Sequence, residues 1–459
     1  MDALMISISG MRGTIGGTLT PVVVANYAAA FAAYLKANEK PANGNHFRVV
    51  MGRDSRPSGP FVRDAASAAL TASGFEVIDL DVVSTPGVAM MIKYAGADAG
   101  IAITASHNPV QWNGMKFLTR NCVSPPPAIA HQVIDLYHKG ITSFVRVQQI
   151  QRPSRNTDTH AVHVKRTLDY VDINGISNKR FKVVLDSVNG AGCTSAHMLL
   201  SKLGCQIVHL NGEPTGQFAH EPEPAAANLP QLEAEVKRQK AAVGFAQDPD
   251  ADRLAIVDEN GTYIGEEYTQ VLAAKYILSK RPGIAVTNLT ASHMMDDVAA
   301  ATGSTVIRTP VGEANVVDAM IRNNAVIGGE GVGGVIDMRI VPCRDSLVGM
   351  AYVLQLMASS GKTLSQLVDE IPRYENVKTK FPCRREDANR AVAAVKAAFA
   401  DEKVDLQDGI RVDWGKSFVH ARPSNTEPIM RIFAEAPTKA EAEARTAQVQ
   451  KVVNAALGR

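Results

Sequence analysis

The feature that most constrains the fold is a repeated alternation of short apolar runs with helix-like stretches. Residues 22–35 are rich in alanine and have a helical period, whereas residues 47–51 and 76–82 are apolar runs that indicate strands. The same order restarts at residues 181–184 and again at residues 283–287. Strands that alternate with helices are typical of α/β domains. The sequence therefore predicts three similar α/β domains in succession.

The last part of the chain has a different character. A long alanine-rich helix is predicted near residues 387–400, strands are predicted around 409–414 and 418–421, and a closing helix is predicted at 439–457. This order predicts a smaller C-terminal α+β domain with helices on a sheet. The expected domains cover residues 1–155, 156–257, 258–370 and 371–459.

A candidate nucleophile lies in a polar loop after one of the apolar runs. Residues 104–109 read Thr-Ala-Ser-His-Asn-Pro and follow the apolar run at residues 99–103. Strand ends of this kind are where open α/β sheets build their active sites. Ser106, the adjacent His107 and Lys116 are suited to moving a phosphoryl or acyl group. A polar turn that only ends the strand is the alternative interpretation.

Three carboxylates alternate along a second loop. Asp248, Asp250 and Asp252 follow the apolar run at residues 242–246. In extended backbone these side chains point the same way and converge, and three carboxylates at one place repel each other unless a cation compensates them. An oxygen-only ligand set suits Mg²⁺. The loop therefore predicts a magnesium site, with a solvated acidic turn as the alternative. Arg253 either pairs with the surplus charge or holds a substrate oxygen.

Two further loops carry ligand-binding chemistry. Residues 328–334 are glycines apart from Glu330 and Val332, and glycine lets the backbone approach a ligand closely while a carboxylate accepts bonds from hydroxyls. Residues 422–428 read Arg-Pro-Ser-Asn-Thr-Glu-Pro, with Arg431 close behind. Hydroxyls, amides and a guanidinium suit a phosphate. The alternatives are a tight hairpin for the first loop and a polar turn for the second.

Composition excludes several classes of protein. The chain has 459 residues with 46% hydrophobic residues, which is enough for several cores, and a formal net charge of +2. A nearly balanced charge gives no bulk field for nucleic acid or a membrane surface. The five cysteines are scattered without metal spacing, and no signal peptide or membrane-spanning run is evident. We expect a cytoplasmic protein with reduced thiols that binds neither nucleic acid nor membrane.

Taken together, these loops resemble the α-D-phosphohexomutases, in which the same motifs occur in the same order along the chain. The resemblance extends over nearly the whole length and includes, besides the four loops, residues 9–13, 52–56, 185–190 and 308–313. It implies mixed sheets in the three α/β domains and a central cleft between the four domains.

The resemblance also implies a mechanism and a set of site residues. Ser106 carries a phosphate in the resting enzyme and passes it to a sugar monophosphate, and the resulting hexose bisphosphate, which also serves as activator, returns its other phosphate to Ser106. Mg²⁺ is held by Asp248, Asp250, Asp252 and the Ser106 phosphate. Arg12 and Lys116 line the same pocket, and either Lys116 or His107 acts as the general acid/base. The implied substrate-binding residues are Thr309, Gly312, Glu330, Gly331, Gly333, Arg422, Ser424, Asn425, Thr426 and Arg431.

The glycine-rich loop most resembles that of archaeal-type phosphoglucosamine mutases, which favours glucosamine phosphate as substrate. Where most family members have Ser or Asn two places after the loop Glu, this chain has Val332. A lost side-chain hydrogen bond costs about 1–3 kcal/mol, so phosphomannomutase or phosphoglucomutase activity is the alternative.

Two other classes compete with a mutase. A Mg²⁺-dependent sugar phosphatase with an aspartyl nucleophile is suggested by the Asp-x-Asp patterns at residues 79–81 and 248–250, but it leaves the Ser106 and Arg422 loops unexplained. A non-catalytic sugar-phosphate-binding protein is favoured only by Val332. For the assembly we expect a monomer or a homodimer.

Overall fold

The computed structural model describes residues 4–8, 10–423 and 429–458, apart from the side chain of Arg385. The chain divides into two compact units, and each is described by itself. The first unit consists of Met1–Ala273 and Val332–Ser365, and the second consists of Ala274–Gly331 and Gln366–Arg459.

The first unit begins with a seven-stranded sheet. Its strands are β1 (Met5–Ser7), β2 (Gly10–Thr14), β3 (Arg48–Arg53), β4 (Glu76–Val82), β5 (Ala99–Ile103), β6 (Trp112–Thr119) and β7 (Ser154–Arg155), in the order β1-β2-β6-β5-β3-β4-β7. Its helices are α1 (Pro21–Asn38), α2 (Gly59–Ala72), α3 (Thr85–Tyr94) and α4 (Pro127–His138). Strands β3, β4 and β5 are mutually parallel, whereas β6 runs antiparallel to both β5 and β2.

A second sheet in the first unit repeats the central part of this design. Its strands are β8 (Lys182–Asp186), β9 (Gln206–Leu210), β10 (Val243–Gln247) and β11 (Leu254–Val257), in the order β11-β10-β8-β9. The accompanying helices are α5 (Thr159–Leu168), α6 (Ile173–Ser177), α7 (Gly192–Lys202) and α8 (Pro230–Gln239). Helix α9 (Tyr268–Lys280) contains the boundary at which the first unit gives way to the second.

The second unit contains a third sheet and the C-terminal sheet. Strands β12 (Ile284–Asn288), β13 (Thr305–Thr309) and β14 (Ile327–Glu330) are parallel in the order β13-β12-β14, with helices α10 (Met294–Ala301) and α11 (Glu313–Asn323). After β14 the chain returns to the first unit with β15 (Gly334–Ile336) and α12 (Ser346–Ser360), and α13 (Leu364–Asp369) leads out again.

The C-terminal sheet is antiparallel throughout. Its strands are β16 (Glu375–Pro382), β17 (Lys403–Asp405), β18 (Ile410–Asp413), β19 (Phe418–Pro423) and β20 (Ile429–Ala436), in the order β16-β20-β19-β18-β17. Helices α14 (Arg385–Ala398) and α15 (Lys439–Leu457) supply Val395, Val449 and Val453 to the core under it. This is the α+β arrangement predicted for the end of the chain.

The predicted α/β class is confirmed, and the repetition is visible in strand order. Each of the first three sheets has a parallel core in which the first strand lies between the third and the second: β5-β3-β4, β10-β8-β9 and β14-β12-β13. The compact units do not follow the predicted four-domain order, because residues 332–365 belong with the first unit. The predicted domain boundaries stay predictions.

Among the described residues, no helix combines the length and the apolar character that crossing a membrane requires. The cysteines are free thiols, and all but Cys205 are buried. Burial raises the pKa of Cys193 and Cys205 to about 12, so both thiols stay protonated near neutrality.

Candidate active site

Ser106 lies in the loop after β5 and has an unusual backbone conformation. Its φ is 53°, in the left-handed region that a residue with a Cβ seldom adopts. Such a conformation persists only where surrounding contacts impose it. Two contacts do so here: the Ser106 N–H donates to Thr104 Oγ1 at 2.8 Å, and the Ser106 carbonyl accepts from Arg56 Nη2 at 3.0 Å. The serine is therefore held from both sides of its backbone.

The two groups that hold Ser106 are joined by a buried carboxylate. Asp54, directly after β3, accepts from the Thr104 hydroxyl at 2.7 Å and forms an ion pair with Arg56 Nη1. Arg56 also donates to the carbonyl of Asn108. Burial raises the pKa of Asp54 even though the Arg56 charge opposes it. Asp54, Thr104 and Arg56 form a cradle, and this cradle positions Ser106.

The three carboxylates of the second loop are brought together as predicted, but by a different backbone. Asp248, Asp250 and Asp252 are all buried after β10, and each offers an oxygen within 4.8 Å of the others. The backbone between them is a tight turn closed by a bond from Ala251 N to Asp248 O at 2.9 Å, and Ala251 has a φ of 55°. The prediction of extended backbone here is wrong, because the turn itself makes the side chains converge.

Two cations face this cluster from distant parts of the chain. Lys116 Nζ, on β6, lies 2.6 Å from Asp250 and 3.3 Å from Asp252, and Arg344 Nη2 lies 2.7 Å from Asp252. Burial by itself would raise the pKa of Asp252, but the charges of Arg344 and Lys116 outweigh it and lower that pKa. Asp248 contacts neither cation at these distances, and burial together with the charges of Asp250 and Asp252 raises its pKa well above the usual range.

Two carboxylate oxygens of this cluster are available to bind a divalent cation. Asp250 Oδ1 and Asp252 Oδ1 are buried and have no hydrogen-bond partner among the described residues. Buried polar atoms are normally paired, so two such oxygens in one cluster point to a ligand. Oxygen donors of this kind suit Mg²⁺. Among the described residues this is the one group of His, Cys, Asp and Glu side chains with metal-binding spacing.

Ser106 and the carboxylate cluster meet directly. The Ser106 hydroxyl donates to Asp248 Oδ2 at 3.3 Å, and His107 Nδ1 lies 3.4 Å from the same hydroxyl. Burial lowers the pKa of His107 to about 4, and the neighbouring charges of Arg253 and Arg12 act in the same direction. Burial would also lower the pKa of Lys116, but Asp250 and Asp252 raise it overall. His107 is thus neutral and Lys116 charged in this arrangement.

Arg12 and Arg253 complete the positive side of the site. Arg12, on β2, donates to Asn108 Oδ1 at 3.3 Å, and burial lowers its pKa against the opposing charges of Asp250 and Asp252. Arg253 directly follows Asp252, and its Nε is buried without a hydrogen-bond partner among the described residues. Both guanidiniums retain donors that can bind an anionic oxygen.

In the second unit, the predicted sugar-binding carboxylate ends β14. Glu330 is buried and accepts from Asn288 Nδ2 at 3.0 Å and from the Gly312 N–H at 3.1 Å. The Thr309 hydroxyl donates a hydrogen bond to the Pro310 carbonyl at 2.9 Å. Glu330, Gly312 and Thr309 are among the substrate-binding residues that the resemblance implies, and the second unit brings the three to the carboxyl edge of one sheet. Asn288 belongs to this group and was missed.

A cationic cavity of about 480 Å³ lies in the second unit. Arg422 on β19 is opposite Arg431 on β20, and Arg431 is opposite Lys380 on β16. Lys378, two residues from Lys380, lies on the same face. Four cations from three adjacent strands therefore line one cavity, and this suits a phosphate.

Two residues that the sequence did not reveal organise this cavity. Asp408 Oδ2 accepts from Arg422 Nη1 at 2.8 Å and from the Val311 N–H at 3.2 Å. His420 lies 2.6 Å from the Asp408 carbonyl through Nε2, and burial lowers its pKa to about 4. Asp408 thus links the Arg422 side chain to the loop that precedes α11.

The remaining predicted residues have different outcomes. Ser424, Asn425 and Thr426 lie outside the described residues. Gly333 has a φ of 85°, and a Cβ there would lie 2.5 Å from the Leu254 carbonyl oxygen. The packing of these two backbone segments is therefore enough to require glycine at this position, without any contact to a ligand. Gly331 is buried directly after β14, and its role stays a prediction. Arg344, Lys378 and Lys380 were missed because isolated cations in an ordinary sequence context carry no signal.

Comparison with known proteins places this site in a family. Four domain families described as phosphoglucomutase/phosphomannomutase match the chain: alpha/beta/alpha domain I at residues 5–143, domain II at 159–261, domain III at 266–374 and the C-terminal domain at 379–452.

Similar proteins cover almost the whole chain. A phosphoglucomutase/phosphomannomutase of Thermococcus kodakarensis is 37% identical over 95% of both chains, and a probable phosphoglucosamine mutase of Thermococcus gammatolerans is 34% identical over 98% of both. A crystal structure of a phosphoglucomutase/phosphomannomutase family protein from Burkholderia thailandensis superposes with a TM-score of 0.86 at 26% identity, covering 98% of each chain.

Fold and site thus define a multidomain α/β phosphotransferase. The chain belongs to the phosphoglucomutase/phosphomannomutase family, the α-D-phosphohexomutases, and is a mutase that transfers a phosphoryl group within a sugar phosphate.

The cradle around Ser106 generates a prediction. Thr104→Val keeps the shape of the side chain but leaves the buried Ser106 N–H without its acceptor, which costs about 1–3 kcal/mol. We expect turnover to fall roughly 10–100-fold with a nearly unchanged KM, since small displacements of a reacting group have large effects on rate. Steady-state kinetics measure this. Thr104→Ser, which retains the hydroxyl, is the control and should stay close to wild type; equal activities in the two variants would contradict the cradle.

Proposed function

We propose that the enzyme interconverts hexose 1-phosphate and hexose 6-phosphate through a phosphate carried on Ser106 and a bisphosphorylated sugar intermediate. The observation that carries this proposal is the contact between the Ser106 hydroxyl and Asp248 at 3.3 Å, inside a site that also holds four cationic side chains. Transfer of a phosphoryl group is catalysed mainly by positioning and by stabilising charge on its oxygens. The proposed catalytic residues are Ser106, His107, Lys116, Arg12 and Arg253.

In the first half-reaction, the bond between phosphorus and Ser106 Oγ breaks while a sugar hydroxyl oxygen forms a bond to phosphorus. The sugar hydroxyl loses its proton to a base, and Ser106 Oγ regains one. The second half-reaction reverses these changes with the other phosphate of the bisphosphate, so Ser106 is phosphorylated again. Lys116 and His107 remain the candidates for the acid/base. At a pKa of about 4, His107 is neutral but a weak base, whereas the raised pKa of Lys116 keeps that side chain charged as a proton donor.

Asp248, Asp250 and Asp252 would hold Mg²⁺, together with the phosphate on Ser106. The ion would supply positive charge beside the phosphoryl oxygens when bound. The residues of this chain hold the cluster around it: Lys116 and Arg344 orient Asp250 and Asp252 through their ion pairs. Asp250 Oδ1 and Asp252 Oδ1, which have no hydrogen-bond partner among the described residues, support this assignment.

The cationic cavity of the second unit would bind the phosphate that is not being transferred. Arg422, Arg431, Lys378 and Lys380 present positive charge from three strands, and Arg422 is oriented by Asp408. Glu330 would accept hydrogen bonds from ring hydroxyls of the sugar. Gly312, Thr309 and Gly331 would line the same binding region, and Ser424, Asn425 and Thr426 would add donors beside Arg422.

Glucosamine phosphate is the proposed sugar. Its support is the resemblance of residues 329–334 to archaeal-type phosphoglucosamine mutases and the probable phosphoglucosamine mutases among the relatives. The relative with 37% identity is named phosphoglucomutase/phosphomannomutase, and this favours glucose and mannose phosphates as the second candidate. The absence of a polar side chain at Val332 would loosen selectivity between these sugars.

Phosphorylation of Ser106 is tested by intact-mass measurement of freshly purified protein. We expect a phosphate adduct in the wild type and in Ser195→Ala, a buried serine of α7 outside the site. Ser106→Ala should lose both the adduct and all turnover, because the phosphate then has no carrier. Full activity in Ser106→Ala would contradict a mechanism in which Ser106 carries the phosphate.

Metal removal tests the carboxylate cluster. Turnover should stop in excess chelator and return when Mg²⁺ is added, since the ion would supply the positive charge that stabilises the oxygens of the reacting phosphate. Asp250→Asn should weaken activation by Mg²⁺. Asp258→Asn, which changes a buried carboxylate outside the cluster, is its control. Undiminished activity in chelator would remove the cluster from this role.

Substrate preference is decided by kcat/KM for the 1-phosphates of glucosamine, glucose and mannose, each with the matching bisphosphate activator. We expect glucosamine 1-phosphate to be the best substrate by a modest factor, and Val332→Ser to increase that selectivity by restoring a polar side chain. A preference above roughly tenfold, about 1.4 kcal/mol, for glucose or mannose phosphate would overturn the glucosamine assignment while leaving the mutase function intact.

A further inference from the structure

The carboxylate loop is held on one side by the start of α12. Three consecutive residues there have different partners: Arg344 Nη2 contacts Asp252 at 2.7 Å, Asp345 caps the helix by accepting from the Leu347 N–H at 2.9 Å, and the Ser346 hydroxyl donates to the Ala251 carbonyl at 2.7 Å. Residues on both sides of the cap therefore fix the loop. Any movement of Asp345 would displace both contacts together.

The opposite side of the loop is held by the start of α3. Ser84 caps this helix by accepting from the Gly87 N–H at 3.1 Å. The next residue, Thr85, donates its hydroxyl to Asp250 Oδ2 at 2.6 Å and its N–H to the Asp250 carbonyl at 3.0 Å. The two helix caps thus stand directly beside residues that bind Asp250 and Asp252.

One imidazole lies between the two caps. His163, on α5, has Nε2 at 2.7 Å from Asp345 Oδ2 and Nδ1 at 3.5 Å from Ser84 Oγ. His163, Asp345 and Ser84 are each at most 2% exposed. A hydrogen bond to the carboxylate requires a proton on Nε2, and Nδ1 lies within hydrogen-bonding distance of the Ser84 hydroxyl. Asp345 accepts from the Leu347 N–H at Oδ1 and contacts His163 at Oδ2, so the two partners together fix the orientation of the carboxylate.

We propose that His163 is a positioning residue for the metal-binding carboxylates, acting through the caps of α12 and α3. It touches neither substrate nor metal. Its bond to Asp345 keeps Arg344 and Ser346 against the loop, and its contact with Ser84 keeps Thr85 on Asp250. This inference rests on the proposed function, because it assumes that Asp248, Asp250 and Asp252 hold a divalent cation. Partners beyond the direct ligands commonly orient such ligands and change metal affinity when removed.

The test compares four full-length proteins: wild type, His163→Ala, His163→Gln and Val164→Ala. Gln retains a donor toward Asp345. Val164 is the next residue of α5 and fully buried, so Val164→Ala matches the loss of packing without touching the caps. The readouts are the Mn²⁺ dissociation constant from electron paramagnetic resonance, the melting temperature, and kcat and KM at saturating Mg²⁺.

We expect Mn²⁺ to bind His163→Ala about tenfold more weakly than Val164→Ala, at a similar loss of melting temperature, with His163→Gln close to wild type. The activity lost in His163→Ala should appear in kcat and not in KM. If His163→Ala does not fold, His163→Asn, which is too short to reach Asp345, takes its place. Equal Mn²⁺ affinities in His163→Ala and Val164→Ala would overturn the inference. A wild type that binds no Mn²⁺ and ignores chelator would instead overturn the proposed metal site.

Discussion

The first unit depends on keeping three buried carboxylates within one turn of the chain. Bringing like charges together in a buried place is unfavourable unless opposite charges and hydrogen bonds compensate it. Lys116 from β6, Arg344 from the start of α12 and Thr85 from the start of α3 provide this compensation. Because these groups come from three separate elements, the charge cluster also fixes how those elements pack.

Ser106 is positioned by a similar use of buried polar groups. Its left-handed backbone is unfavourable alone, and the bonds from Thr104 and Arg56 to its amide and carbonyl offset that cost. Asp54 joins the two, so the serine loop and the end of β3 form one network. A rigidly held serine suits the phosphate-carrying role proposed for Ser106, because positioning supplies much of the rate of phosphoryl transfer.

The family of this protein is established by its whole sequence, whereas its preferred sugar depends on a small number of residues. Domain families along the whole chain and relatives of 37% and 34% identity establish a phosphohexomutase. The sugar is decided by a few contacts, and the names of the relatives include both phosphoglucosamine mutase and phosphoglucomutase/phosphomannomutase. In the function proposed above, Val332 is the residue of this sequence that we expect to bear on that difference.

Much of the fold followed from the sequence because its signals are local. The apolar runs before Ser106 and Asp248 are strands β5 and β10, and the alanine-rich stretch at residues 439–457 is α15, because periodicity and propensity act over a few residues. The loops that carry the proposed chemistry were visible for the same reason, since unusual residues stand together in the sequence. That the Asp248 loop is a turn and not extended backbone was not visible.

The tertiary structure alone decided which separate residues support those loops. Arg344, Asp408 and His163 stand in sequence contexts without any motif. The contacts that position them join residues 92, 14 and 182 places apart in the sequence, respectively. A single guanidinium or imidazole is chemically ordinary in the sequence, and it becomes significant when folding buries it beside a carboxylate. The sequence therefore determined the class of protein and the loops proposed to carry its chemistry, whereas long-range packing determined the charges and bonds that hold those loops in place.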